Sequence, residues 1–295
     1  MYDILRTYTA ATVAKAQKLL SENEGAVIVC GGTDVMIRLK ERKLRQAVLI
    51  SIAQIPELKG IHLRANGDIA IGAATTFDEI YRSALIRERI PALAFAANQV
   101  GSPQIRHVAS IGGNICNGAV SADSVSSLLV YNAQLEISAA NGAYTLPLER
   151  FHTGPGAVLL NKTSEILTAI VIPKSEYEGR FGSYLKFGQR NAMEIATLGC
   201  AVSLRLSPDH KSIDDLRIAL CVAAPTPIRC KTTEASLSGA PLTKGTIAAL
   251  RKGVLSEIQP RDSWRASRQL RLQLAKELSE RAFTQSAEAA GGVIV

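Results

Sequence analysis

The stretch PQIRHVASIGGNICNGAVSAD, residues 103–123, decides how the rest of the chain is read. Three glycines and a series of small polar residues interrupt a sequence that is 47% apolar, far from either end. Small residues let a ligand come close to the backbone. Gly112-Gly113-Asn114 removes two successive β-carbons, permits positive φ angles and offers bare N–H groups to an anion such as a diphosphate. A second double glycine, Gly31-Gly32 in VIVCGGTDV (27–35), directly follows a β-branched apolar run. Two such loops in one chain point to a large cofactor held at both ends.

Working outward, residues 10–20 predict a helix with a Thr N-cap, ended by Gly25. AVIV (26–29) predicts a buried strand, GGTD a tight turn, VMIRLKERK a helix and AVLISI (47–52) a second strand, closed off by Pro56. Ile61 and Leu63, then Ile69 and Ile71, alternate around Asn66-Gly67, which predicts a hairpin with a type I′ turn. Thr76 is placed to cap a helix starting at TTFDEI (75–80). PALAFAANQV (91–100) opens with proline at a first helical position. SVSSLLVYNA predicts a helix, AQLEIS a strand leading to a second hairpin at Asn141-Gly142, and EILTAIVIP (165–173) a strand stopped by proline.

The polar KSEYEGR marks a boundary near residues 174–180. Three strands follow, in GSYLKFGQ, TLGCAVSLRLS and DDLRIALCVAA, and then two helical stretches, with GGVIV at the end expected to be loosely held. The expected domains are 1–175, in subdomains of about 1–56 and 57–175, and 176–295. No internal repeat interrupts this plan.

Composition removes several function classes. The formal charge of +8 is spread along the chain and mixed with glutamates, and aromatics are 5%, so a basic surface meeting an acidic partner or an anionic cofactor is favoured over nucleic-acid binding. No apolar run approaches the roughly 20 residues a membrane helix needs. No secretory leader is evident, and a cytoplasmic location is expected. Five scattered cysteines without a C-x-x-C pair make neither a disulfide framework nor a metal site. Any iron–sulfur chemistry has to come from a partner. No G-x-G-x-x-G occurs, and Ala119 stands where the P-loop spacing of Gly113 and Gly118 requires lysine. H-E-x-x-H and G-x-S-x-G are also missing.

VIVCGGTDVMI and VASIGGNICNGAVSADS resemble the two cofactor-binding segments of the FAD subunits of molybdenum hydroxylases, most closely those of the bacterial xanthine dehydrogenases. FHTGPG (151–156), SEIL (164–167), YLKFGQR (184–190), VAAPTPIRC (222–230) and PRDSWRAS (260–267) extend the resemblance over essentially the whole chain. It implies an α+β fold: a two-part FAD-binding domain of the p-cresol methylhydroxylase/vanillyl-alcohol oxidase type, followed by a C-terminal three-stranded sheet with helices.

The resemblance also implies site residues. Ile28, Val29, Cys30, Gly31, Gly32, Thr33, Asp34 and Val35 would wrap the FAD diphosphate and adenosine. Ser110, Ile111, Gly112, Gly113 and Asn114 would line the cofactor, and Asp123 would bond one of its hydroxyls. Ile166 or Leu167 and Lys186 would contact the flavin region, and Gly101 would add a backbone contact. The small Ala119, Val120 and Ser121 could leave room for the isoalloxazine ring. Read by itself, Lys186 between Leu185 and Phe187 could equally face solvent from an edge strand. Arg106 could serve as an ion-pair partner, while His107, His152 and Cys116 fit packing roles.

The implied activity is electron transfer. A partner subunit with molybdopterin hydroxylates the purine, a partner with two 2Fe-2S clusters carries the electrons, and FAD here passes them to NAD+. No catalytic side chain and no metal is expected in this chain. A related aldehyde or carbon monoxide dehydrogenase subunit and a non-catalytic assembly subunit are the alternatives. The lack of a four-cysteine insertion and the intact glycine pairs respectively weigh against them.

Overall fold

The computed structural model describes residues 2–295 of the 295-residue chain. It begins with a three-stranded parallel sheet: β1 (Ile4–Thr9), β2 (Val27–Val29) and β3 (Ala47–Ser51), in the order β1-β3-β2. Helix α1 (Val13–Glu22) links β1 to β2, and its N-cap Thr12 accepts from the Lys15 N–H. Helix α2 (Val35–Lys40) links β2 to β3. The expected strand–turn–helix–strand unit is present. β1 is an addition to it: an edge strand whose side chains are mostly exposed carries no buried alternation for the sequence to show.

After a 3₁₀ turn at Pro56–Leu58 come β4 (Ile61–Leu63) and β5 (Ile69–Gly72). Their turn differs from the type I′ expected. Gly67 has φ +87° while Asn66 does not enter the positive region. The Gly67 N–H bonds Arg64 O at 2.9 Å and the Arg64 N–H bonds Asp68 O at 2.8 Å. This is a three-residue loop, a type I turn closed by a glycine bulge.

The helices that follow are α3 (Phe77–Arg82), with a complete Thr76–Glu79 capping box, α4 (Ala84–Arg89), α5 (Pro91–Asn98), α6 (Pro103–Arg106), α7 (Ile111–Cys116) and the wholly buried α8 (Asp123–Leu129). Such a box stabilises a helix start by about 1 kcal/mol. The chain then forms β6 (Gln134–Ala139), β7 (Gly142–Pro147), the turn α9 (Leu148–Phe151), the ribbon β8 (His152–Gly154) and β9 (Ala157–Val158), and β10 (Ile166–Ile172). The second sheet is antiparallel with order β4-β5-β10-β6-β7. Its buried isoleucines pack with α3, α5, α7 and α8 in one core.

A turn, α10 (Lys174–Tyr177), leads to β11 (Phe181–Phe187), β12 (Leu198–Leu206), β13 (Ile213–Cys221) and β14 (Ile228–Arg229). The C-terminal sheet thus has four strands, in that order, rather than three. The fourth is two residues long, within PTPIRC, too short to leave a pattern. Helices α11 (Lys231–Leu237), α12 (Lys244–Glu257) and α13 (Arg268–Ala289) cover one face, one helix more than expected. The other face meets α5 and α8, so that Tyr184, Ala201 and Ala219 belong to the first core while Cys200, Val202 and Leu220 belong to the second. Burial on both faces explains why β12 and β13 read as continuous apolar runs. The final residues are not loose: Val295 exchanges backbone hydrogen bonds with Leu242 and Lys244.

Candidate functional site

The two glycine segments meet. Gly31 lies so close to residue 108 that a β-carbon on it would overlap the Val108 carbonyl oxygen. Gly32 has φ +74°, the left-handed region that only glycine adopts without cost. A few residues on, Asp34 Oδ1 accepts a 3.1 Å bond from Asn117 Nδ2, fastening the first segment to the second across 83 positions of sequence. Among the described residues, no backbone N–H from Cys30 through Val35 has an acceptor within the chain; intrachain bonding resumes with Met36 N–H to Gly32 O at 2.9 Å. Six successive unpartnered donors around a left-handed residue suit the oxygens of a diphosphate without a buried cation.

The second segment is built differently from expectation. Gly112 and Gly113 do not form a loop with free donors but lie in α7, with Ser110 as its N-cap. Their donors are in use: Ile111 N–H bonds Thr75 O at 3.0 Å, Gly112 N–H bonds Ala73 O at 2.8 Å, Gly113 N–H bonds Ser110 Oγ at 3.3 Å and Asn114 N–H bonds Ser110 O at 3.1 Å. Glycine is needed at 112 because a β-carbon would stand 2.6 Å from Ala73 O, whereas at 113 it would meet only Ser110 Oγ at 3.0 Å. The segment therefore contributes a close-packed wall of small side chains, and the donors come from the first segment.

Asp123 opens α8 and is 7% exposed. Its Oδ1 accepts from Tyr184 Oη at 2.5 Å and its Oδ2 from Lys186 Nζ at 2.9 Å. Burial holds the carboxyl above its ordinary range, opposed by the Lys186 charge and the tyrosine hydroxyl. Lys186 does not face solvent. Although β11 is an edge strand, its ammonium is folded inward and also donates to Gln99 O at 3.0 Å. Asn114 Oδ1 accepts from Ser124 Oγ at 2.6 Å, tying α7 to α8.

Gly101, at φ +52°, accepts from Met193 N–H at 3.0 Å beside this group. Ile166 and Leu167 are buried at the start of β10. Val222 holds φ +62°, a strained conformation for a β-branched residue, while its N–H bonds Val120 O at 3.1 Å.

Three further candidates, Arg106, His152 and Cys116, are engaged by the surrounding fold. Arg106 donates to Val100 O at 3.1 Å and, among the described residues, makes no ion pair. The His152 ring nitrogen contacts Ile115 O at 3.0 Å. Burial pushes the Cys116 thiol up to about 12, away from the reactive thiolate. Among the described residues no cluster of His, Cys, Asp or Glu is placed to hold a metal ion, and no helix is long and apolar enough to cross a membrane.

Asn117, Ser124, Gln99 and Tyr184 were not marked by the sequence. Only Tyr184 had a signal: two residues before Lys186 on a strand, it lies on the same face.

The family described as the FAD binding domain in molybdopterin dehydrogenase matches residues 3–175, and the CO dehydrogenase flavoprotein C-terminal domain matches residues 183–286. The chain is 42% identical over 292 residues, 99% of each chain, to the xanthine dehydrogenase FAD-binding subunit of Escherichia coli O157:H7. It is 29% identical over 273 residues, 92% of this chain and 93% of the other, to the carbon monoxide dehydrogenase medium chain of Hydrogenophaga pseudoflava. A solved structure of carbon monoxide dehydrogenase from that organism superposes with a TM-score of 0.91 at 28% identity, covering 98% of this chain and 99% of that one. Fold and site together thus define the flavoprotein component of a molybdenum hydroxylase. More particularly, the chain belongs to the FAD-binding subunit family and is xanthine dehydrogenase-like.

Proposed function

We propose that this chain holds FAD between its two glycine segments. In this reading FAD receives electrons from the iron–sulfur clusters of one cytoplasmic partner subunit, after a molybdopterin subunit has hydroxylated xanthine, and delivers them to NAD+. The observation that carries the reading is the row of unpartnered donors from Cys30 to Val35, pressed through Gly31 against the second segment. It is a cradle with the donor chemistry of a diphosphate site and no other occupant within the chain.

Bound FAD would supply the redox chemistry, accepting electrons singly and releasing a hydride. The residues bind and orient. Ile28 to Val35 hold the diphosphate and adenosine, Ser110 to Asn114 form the wall, Gly101, Ile166 and Leu167 border the flavin, and Asp123 and Lys186 set its electrostatics. Residues 1–175 act as the binding domain and residues 176–295 brace it.

The test is to purify the chain, record its visible spectrum and add NADH anaerobically. A yellow protein bleached by NADH is expected. A colourless protein that gains no FAD on incubation would refute the flavoprotein reading, and a yellow one indifferent to NADH would refute the acceptor. Copurification with a purine-hydroxylating subunit checks the xanthine assignment.

A further inference from the structure

We propose that Tyr184 is a positioning residue of the flavin site: its hydroxyl holds Oδ1 of Asp123, which commits Oδ2 to Lys186 and fixes the ammonium between Asp123 and the Gln99 carbonyl. This rests on the FAD reading above. Of the three N–H bonds of the Lys186 ammonium, two are spent on these acceptors and one is left for a ligand.

The seat of the hydroxyl is built into the sheet. Gly199, opposite Lys186 on β12, has no β-carbon, and one placed there would overlap Tyr184 Oη and lie 2.7 Å from Cys221 Sγ. Tyr184 is 2% exposed. A phenylalanine would fill the same volume, so packing alone does not call for the oxygen. The titratable groups facing Asp123 are Tyr184 and Lys186 from β11 and Cys221 from β13.

The consequence is electrostatic. With the hydroxyl in place the buried carboxylate is stabilised by two donors, and the Asp123–Lys186 pair is neutral overall. Without it, burial favours the protonated acid over a wider pH range, and Lys186 becomes an uncompensated positive charge on the acid side. A positive charge beside a flavin favours its reduced form.

The experiment uses the full chain loaded with FAD, comparing wild type, Tyr184→Phe and Cys221→Ala. Tyr184→Phe is expected to take up FAD in wild-type stoichiometry and melt within a few degrees of wild type. Its flavin midpoint potential plotted against pH should show an added break, with about a tenfold shift toward reduced flavin on the acid side, about 30 mV for a two-electron couple. Cys221→Ala should follow the wild-type curve. Gly199→Ala, which displaces the hydroxyl while leaving the ring, should show the same break if Tyr184→Phe does not fold.

A wild-type curve in both hydroxyl variants overturns the inference. So does a change in stability or FAD content with no change in pH dependence, which is what mere packing predicts. Failure of the wild-type chain to take up FAD overturns the underlying reading instead.

Discussion

Replacing Gly31 by alanine tests the close approach of the two segments. The added β-carbon would overlap Val108 O and lie 3.1 Å from Ala109 N, so backbone rather than a flexible side chain has to give. Relief requires the Cys30–Thr33 turn to back away from residue 108, and overpacking of this kind costs about 1–3 kcal/mol. In the free chain the turn can swing outward, so little of that cost falls on stability. On binding FAD the wall and the donors must close together again. A cost of about 2 kcal/mol then appears as roughly a thirtyfold higher Kd.

Flavin fluorescence quenching on titration with FAD measures this directly, with thermal melting in parallel. Gly25→Ala is the comparison: its φ of +73° strains an alanine too, but nothing stands within 4 Å of the new carbon. A Gly31→Ala chain with the wild-type Kd, or a Gly25→Ala chain equally impaired, would refute the reasoning.

Gly112→Ala presses on Ala73 O while Gly113→Ala meets only the Ser110 hydroxyl, so the first should lose FAD and the second keep most of its affinity, by the same titration; only a bulkier residue at 113 should abolish retention. Burial raises the Asp123 carboxyl above its unfolded value, so the folded chain binds more protons than the unfolded one and stability falls as pH rises from about 4 through the folded value. Urea melts across that range should show the slope, Asp123→Asn should flatten it, and Lys186→Met, which strands the carboxylate, should steepen it and cost about 3–5 kcal/mol at the alkaline end. Arg271, 2% exposed, donates to Thr197 O at 3.1 Å, Ala266 O at 3.3 Å and Ser263 Oγ at 2.7 Å, and also to Arg261 O. Arg271→Met should therefore destabilise by about 3 kcal/mol and lower the fluorescence anisotropy of Trp264, the single tryptophan of the chain.

Local chemistry was legible where it acted locally. Thr12 and Thr76 as caps, Pro91 at a helix start, and both hairpins follow from a few adjacent residues. What escaped depends on partners distant in sequence. IGGN reads as a loop because glycine is a poor helix former, yet Ala73 O occupies the space a side chain would need and the segment is helical. Lys186 reads as ambiguous because its partners, Asp123 and Gln99, come from other elements. The Asp34–Asn117 bond leaves no pattern at all. In the same way, Asn66-Gly67 announced a hairpin but not its turn type, since the extra loop residue shows only in the register of Arg64 against Asp68.

The buried helix α8 is gripped from the C-terminal sheet at both ends. Tyr184 and Lys186 hold Asp123 at its start, while Arg229 Nη1 donates to Leu129 O at 3.2 Å and Arg217 Nη1 to Val130 O at 3.3 Å at its finish, where a helix favours cations. Those arginines leave the ribosome about a hundred residues after Asp123, a wait of about 5–20 s at ordinary rates of synthesis. Tyr184 and Lys186 follow Asp123 by only 61 and 63 residues, so the carboxylate end of α8 meets its partners first and the carbonyl end last. If FAD sits as proposed above, a nascent chain arrested near residue 180, which has both glycine segments but neither partner of Asp123, should emerge colourless.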